Sequence, residues 1–260
     1  MDTQPAHQAI NRQEIHFPQG NRALAVISPS GTHISDIVQA LGIPQPKAVI
    51  MIAGGASKMG EHVRPDLSQL FTDGIAQVAA SNEALIVDGG TQTGVMALIG
   101  LGVSKQPQRP ILLGISPAEN VTYPGKSMHR SGSAEVPLDP NHSHFVLVES
   151  NEWGGETATM YELAKAFSQG CPSVAILING GAITKNEVLY NVRQGRPIII
   201  IEGSGRLADE VARILHEKSS FDSDSDLTEI ITLGKLYLFP PTGSTLELEQ
   251  LTQRLLDEQQ

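Results

Sequence analysis

Five times along this chain a short, almost unbroken apolar run stops at a turn built from glycine, and a stretch with helical spacing follows. Lys47–Ala53 ends in Gly54-Gly55, with Ala56 and Ser57 next. Ala84–Val87 ends in Asp88-Gly89-Gly90-Thr91, then Gly94. Phe145–Val148 leads to Trp153-Gly154-Gly155-Glu156-Thr157. Ser173–Ile178 ends in Asn179-Gly180-Gly181, and Pro197–Ile201 ends in Glu202-Gly203-Ser204-Gly205-Arg206. Strands that read apolar at every position are buried on both faces, as in a parallel sheet covered by helices. The spacing therefore predicts an α/β, Rossmann-like, doubly wound and mostly parallel sheet with helices on both faces. Right-handed crossovers gather the strands' C-terminal ends on one edge. Ligands of such sheets sit at that edge, where the strand order reverses.

Around these units the pattern is less regular. Residues 1–20 are polar and read as an arm or first edge element. Residues 21–218 show no break in composition and read as one domain. Residues 219–260 hold an acidic loop (219–226), a final strand at Leu236–Phe239 and a helix marked by Leu248, Leu251 and Leu255. Leu67, Leu70, Phe71, Ile75 and Val78 mark an amphipathic helix. The segment 117–141, rich in Pro, Gly, Ser and His, is long for a loop in a compact domain, a length usually tied to function or disorder.

A net charge of −10 without any basic cluster argues against nucleic acid or an anionic membrane as partner, since both need Lys and Arg to neutralise phosphates. A single cysteine, Cys171, excludes an internal disulfide and suits a reducing compartment. The start of the chain is too polar for a signal peptide. No apolar run approaches the ~18–20 residues that span a bilayer. These features predict a cytoplasmic location.

The glycine ends carry the functional reading. Helix starts leave backbone N–H groups unpaired, and a turn stripped of Cβ atoms lets an anion approach them closely. Gathered on one edge, the five predict a phosphate-bearing small molecule. The Arg206 fork suits a bidentate grip on phosphate, or a salt bridge with Asp209 or Glu210. Asp88, Glu156 and Glu202 are candidates to accept a ribose hydroxyl. His142 and His144 read as hydrogen-bonding groups that close segment 117–141 over the site; no third ligand set accompanies them, so no metal is expected. Neither a G-x-G-x-x-G fingerprint nor a P-loop occurs, which disfavours nicotinamide cofactors and ATP hydrolysis; no cofactor is expected.

Asp88-Gly-Gly-Thr91 with Gly94-Val-Met96, Asn141-His-Ser-His-Phe145, Trp153-Gly-Gly-Glu156, Gly180-Gly181 and Glu202-Gly-Ser-Gly-Arg-Leu-Ala-Asp209 follow in this order. Over roughly residues 45–216 the chain resembles the SLOG superfamily. The branch it resembles is prokaryotic and similar to the N-terminal cytoplasmic region of TRPM (melastatin-type) cation channels. The resemblance implies a Rossmann-like sheet binding a ligand of ADP-ribose or cyclic ADP-ribose type. It implies a cleft lined by Gly54, Gly55, Gly89, Gly90, Thr91, Gly154, Gly155, Gly203, Ser204 and Arg206. Ser57, Asp88, Gly94, His142, Glu156, Thr157, Gly180, Gly181, Glu202 and Gly205 complete the candidate set. A homo-oligomer is implied by family analogy alone.

Another branch, the LOG enzymes, splits the N-glycosidic bond of nucleoside 5′-monophosphates and carries P-G-G-x-G-T-x-x-E. Here Tyr161 stands at the glutamate position and Glu162 one residue later, a rotation of about 100° on a helix. Glu156 and Glu162 are the acid/base candidates on that reading. The departure favours a ligand-binding domain over a hydrolase.

Overall fold

The computed structural model describes residues 10–29, 31–55, 68–126, 135–217 and 224–259. Their main sheet holds nine strands. In chain order these are β1 (Asn11–His16), β2 (Arg22–Ser28), β3 (Ala48–Gly54), β4 (Ala84–Asp88) and β5 (Leu112–Pro117). After a small separate pair, β6 (Val121–Thr122) and β7 (Val136–Pro137), come β8 (His144–Val148), β9 (Ser173–Ile178), β10 (Ile198–Ile201) and β11 (Leu236–Phe239). Across the sheet the order is β1-β2-β8-β5-β4-β3-β9-β10-β11. Only β1 runs antiparallel, paired with β2 from Asn11↔Ile27 to His16↔Arg22. Every other neighbouring pair is parallel.

The apolar runs form strands because both of their faces are covered. Val49 and Met51 of β3 pack into one core cluster, Ile50 and Ile52 into the other. The isoleucines of β10 divide likewise, Ile198 and Ile200 against Ile199 and Ile201. This is the two-residue alternation of a strand read into two layers. The first layer is closed by α1 (Ile34–Leu41), α4 (Thr157–Phe167), α5 (Ala182–Arg193), α6 (Arg206–Glu217) and α7 (Ser225–Leu233). The second is closed by α2 (Ala76–Ser81), α3 (Gly94–Lys105) and α8 (Thr245–Asp257). A third, smaller cluster with Ile15, Phe17, Phe145 and Leu147 seals the β1–β2 edge.

Caps follow ordinary chemistry. Gly42 ends α1 at φ 64°, Asp224 accepts from the first amides of α7, and Ser244 with Glu247 forms a capping box on α8. Leu248 and Leu255 of α8 are buried against the sheet.

The helix expected around residues 67–78 differs from its sequence pattern, and Leu67 itself lies outside the described residues. Leu70–Ile75 is wound as a π-helix before α2 begins. The neighbours explain the tight fit there. A Cβ on Gly102 of α3 would lie 2.7 Å from the Thr72 backbone, and one on Gly74 would lie 3.6 Å from the Thr245 carbonyl of α8. Glycine lets three helical segments meet backbone to backbone.

Candidate functional site

The chain runs from β3 to β4 and β5 on one side of the sheet, and from β9 to β10 and β11 on the other. Beyond the adjacent ends of β3 and β9 the connections diverge and leave a crevice. A cavity of about 480 Å³ occupies it, lined by Gly54, Gly55, Gly89, Thr91, Thr93, Met96, Trp153, Glu156, Gly181, Ile183, Thr184, Glu187 and Arg206 among others. That size suits a small-molecule ligand.

Glycines let the walls close in. A Cβ on Gly54 would lie 2.9 Å from a Val95 methyl and 3.0 Å from the Ile178 carbonyl, so β3 and β9 touch where they end. On Gly55 it would meet Gly180 N at 3.6 Å and Arg206 Nη1 at 3.7 Å; on Gly181 it would meet Arg206 Nη2 at 2.5 Å. The guanidinium therefore lies over both turns. Arg206 opens α6 with φ 48°, is exposed, and its guanidinium has no partner among the described residues. Asp209, a possible partner by sequence, instead accepts from Gly203 N–H at 2.7 Å. The N-cap residues of α5 and α3, Gly181 and Thr93, supply no side-chain cap and line the same cavity. Arg206 and two uncapped helix starts thus make a cationic wall.

The same cavity also carries acidic groups. Glu156 is buried, and its Oε2 accepts from Gly154 N–H at 2.8 Å. Burial raises its pKa, with partial relief from that bond and from its own N–H. Glu187 on α5 is partly buried and lines the same cavity. Its pKa is pushed up to about 8 by burial first, then by the charges of Glu156 and Asp88. Behind it runs a polar chain into the core. Asn191 donates to the Glu187 carbonyl (3.0 Å) and to the Tyr161 hydroxyl (3.1 Å), and Arg196 donates to Asn191 Oδ1 (2.6 Å). Burial and the Glu187 charge lift the Tyr161 phenol well above its ordinary value.

A buried ion cluster holds the Asp88–Thr91 turn from behind. Asp88 Oδ1 accepts from Gly90 N–H at 2.7 Å and from His142 Nε2 at 2.8 Å, while His142 Nδ1 meets Asp139 Oδ1 at 3.1 Å. All three side chains are buried. Burial opposes a charge on His142, but the two carboxylates outweigh it and raise the pKa to about 9. The imidazolium donates on both sides and stacks on Phe145 at 5.4 Å. Asp139 N–H donates to the Gly90 carbonyl, so this cluster ties segment 117–141 onto the turn. Among the described residues no group of three or more His, Cys, Asp or Glu side chains is arranged to hold a metal ion.

At the mouth stand two exposed apolar groups, Trp153 (41%) and Ile183 (40%). The indole N–H of Trp153 donates to the Asn120 side-chain oxygen at 3.2 Å, leaving its ring at the opening.

Of the residues expected from sequence, Gly54, Gly55, Gly89, Thr91, Glu156, Gly181 and Arg206 line this one cavity. The remaining described ones are placed differently. Asp88, Gly90 and His142 form the buried support of the turn. Gly94 opens α3 at φ 53°, and Gly154, at φ 96°, packs toward Ile183. Gly155 lies against Ser150, Gly180 against Thr184, and Gly205 near Asn179. Thr157 is buried at the start of α4. Gly203 bonds Asp209, Ser204 accepts from Asn179 N–H, and Glu202 pairs with His216 at 2.7 Å. Glu162 is exposed on α4 and is not among the lining residues. Tyr161, at the glutamate position of the hydrolase pattern, is fully buried on Asn191. Ser57 lies outside the described residues.

Glu187, Thr184 and Trp153 were not among the expected site residues. The spacing of Thr184, Glu187 and Asn191 carries a readable signal, since three polar residues at i, i+3 and i+7 share one helix face.

Fold and cavity together define a Rossmann-like α/β protein with a cleft at its topological switch point. Residues 47–240 match the family described as SLOG in TRPM, prokaryote, and the chain belongs to that family. It is similar to transient receptor potential cation channel subfamily M member 2 of Mus musculus, 27% identical over 220 residues, covering 72% of this chain and 14% of the channel. It is also similar to subfamily M member 7 of Homo sapiens, 28% identical over 226 residues (75% and 12%). A third relative is the subfamily M member-like 2 protein of Nematostella vectensis, 29% identical over 201 residues (64% and 13%). The chain thus spans only a small part of these relatives. Among the described residues no helix is long and apolar enough to cross a membrane.

Proposed function

We propose that the cleft binds a nucleotide-derived ligand of ADP-ribose or cyclic ADP-ribose type, and that the chain acts as a cytoplasmic ligand-sensing domain. The observation that carries this reading is the unpartnered Arg206 guanidinium lying over the Gly55 and Gly181 turns, beside two uncapped helix starts. An exposed cation with free donors at a point of close backbone approach is the chemistry that takes phosphate oxygens. Glu156 stands in the same cavity as an acceptor for sugar hydroxyls, and the exposed Trp153 ring offers a stacking face for a base.

Trp153 is the only tryptophan in the chain, so its fluorescence reports on the cleft directly. Titration with ADP-ribose, cyclic ADP-ribose, AMP and NAD is expected to change it saturably for at least one of them. Arg206→Ala is expected to weaken that ligand about 10- to 100-fold, the worth of a charge-assisted hydrogen bond. A tryptophan signal and a thermal melt indifferent to all four nucleotides would rule the reading out.

A second reading, hydrolysis of an N-glycosidic bond, draws on Glu156 alone, because its carboxyl sits in the cleft with a raised pKa. Chromatography after incubation with nucleoside 5′-monophosphates distinguishes it. Free base released by the wild type and not by Glu156→Gln supports hydrolysis; intact nucleotide supports binding alone.

A further inference from the structure

The nucleotide-binding reading leaves one charged group of the cleft lining without a use. The Arg206 guanidinium lies over the Gly55 turn and over the Gly181 turn that starts α5. Glu187 enters the same cavity from further along α5, and Thr184 and the buried Glu156 line it too. Asn191 donates to the Glu187 main-chain carbonyl and is itself held by Tyr161 and Arg196, which fixes this turn of α5. A carboxyl on that turn and in the lining of a 480 Å³ cavity has a ligand-facing role available.

We propose that Glu187 is a specificity-determining residue of the cleft, its carboxyl hydrogen-bonding a sugar hydroxyl of the ligand.

The assignment rests on the nucleotide-binding reading and adds which end of the ligand goes where. Phosphates lie toward Arg206, and the hydroxyl-bearing sugar lies toward Glu187 and Glu156. Protonated, the Glu187 carboxyl both donates to and accepts from a hydroxyl; ionised, it only accepts and repels a nearby polyanion. Burial first, and the charged groups around it second, decide which form prevails. Glu156 at the start of α4 and Asp88 at the end of β4 push it toward the neutral form, with Asp88 itself tied to the His142 imidazolium. Tyr161 of α4 faces it as a neutral phenol, and the Arg206 guanidinium lies over Gly181 at the start of α5, the helix that carries Glu187. Its ionisation is centred at about pH 8.

The test is the dissociation constant of ADP-ribose, read by Trp153 fluorescence, from about pH 6.5 to about 9.5, a range in which its pyrophosphate diester stays fully ionised. For the wild type, affinity is expected to hold steady below about pH 7 and to fall roughly thirtyfold by about pH 9.5, the loss of one required proton. Glu187→Gln keeps both a donor and an acceptor, and is expected to bind at neutral pH with a flat profile. His142 remains in that variant, so a profile that persists unchanged in Glu187→Gln assigns the pH dependence elsewhere and overturns the proposal. A flat wild-type profile overturns it as well, as does loss of binding in Glu187→Gln at every pH with an unaltered melt. In each of these three cases the nucleotide-binding reading survives. Absence of ADP-ribose binding by the wild type at every pH overturns the assignment and removes its nucleotide.

Discussion

Two adjacent glycines in the Asp88–Thr91 turn have opposite reasons for being glycine. Gly90 has φ 70°, and a Cβ there would lie 2.8 Å from Gly114 Cα and 3.1 Å from the Phe145 ring. The turn is pressed onto β5, with no room for a side chain. Gly89 lines the cleft, lacks a positive φ, and a Cβ there would have only Met96 nearby, at 3.9 Å. Gly90→Val is therefore expected to cost several kcal/mol, from ~1–3 for overpacking plus ~1–2 for the left-handed backbone. Gly89→Val is expected to fold with a urea midpoint close to wild type while projecting its methyls into the cavity and removing the nucleotide-dependent fluorescence change. The same Gly-Gly pair looks uniform in the sequence. Which glycine lines the cavity and which meets the neighbouring strand depends on β5, which follows only after another helix.

At the scale of elements, the strands were legible because burial on both faces leaves an unbroken apolar run, and β3, β4, β9 and β10 are such runs. The gathering of the glycine ends followed from parallel topology. What the pattern did not show was the π-helical segment Leu70–Ile75, since apolar residues spaced for an α-helix do not reveal one inserted residue per turn. Nor did it show the role of Gly102, which reads as a weak point in α3 and is in fact where that helix meets the Thr72 backbone. Gly102→Ala tests this. Helix propensity alone gives a stabilisation of about 1 kcal/mol. The 2.7 Å approach to the Thr72 backbone gives a destabilisation of about 1–3 kcal/mol, because the obstacle is main chain and not a flexible tip. A lower urea midpoint is the expected result; a higher one would show that α3 stands further from the π-helical segment than described.

Over the whole molecule, the buried charges of the site set how stability varies with pH. His142 has a folded pKa of about 9 against an ordinary 6.5. Its stabilisation is complete below about pH 6.5 and is lost as pH rises through about 9. Glu187 reaches about 8 from 4.5, so the folded protein holds a proton that the unfolded chain has released. That too makes stability fall with rising pH, across the window from about 4.5 to 8. Between about pH 6.5 and 8 the two slopes add, each tending toward about 1.4 kcal/mol per pH unit where its proton difference is complete. The carboxylates with lowered pKa, Asp224, Glu229 and Glu247, titrate at lower pH and lie outside this window. Urea midpoints measured at pH 5, 7 and 9 are therefore expected to fall in that order. Glu187→Gln should remove the part of the decline between pH 5 and 8, and gain most over wild type at pH 9. His142→Gln should be less stable than wild type at pH 6, by about 3–5 kcal/mol for a broken buried pair, because Asp88 and Asp139 then face each other without a cation. Its deficit should narrow toward pH 9.5, where the wild-type imidazolium is itself losing its proton. If the deficit stays constant from pH 6 to 9.5, His142 is neutral in the folded protein, and the Asp88–His142–Asp139 cluster holds the cleft's turn by hydrogen bonds without charge.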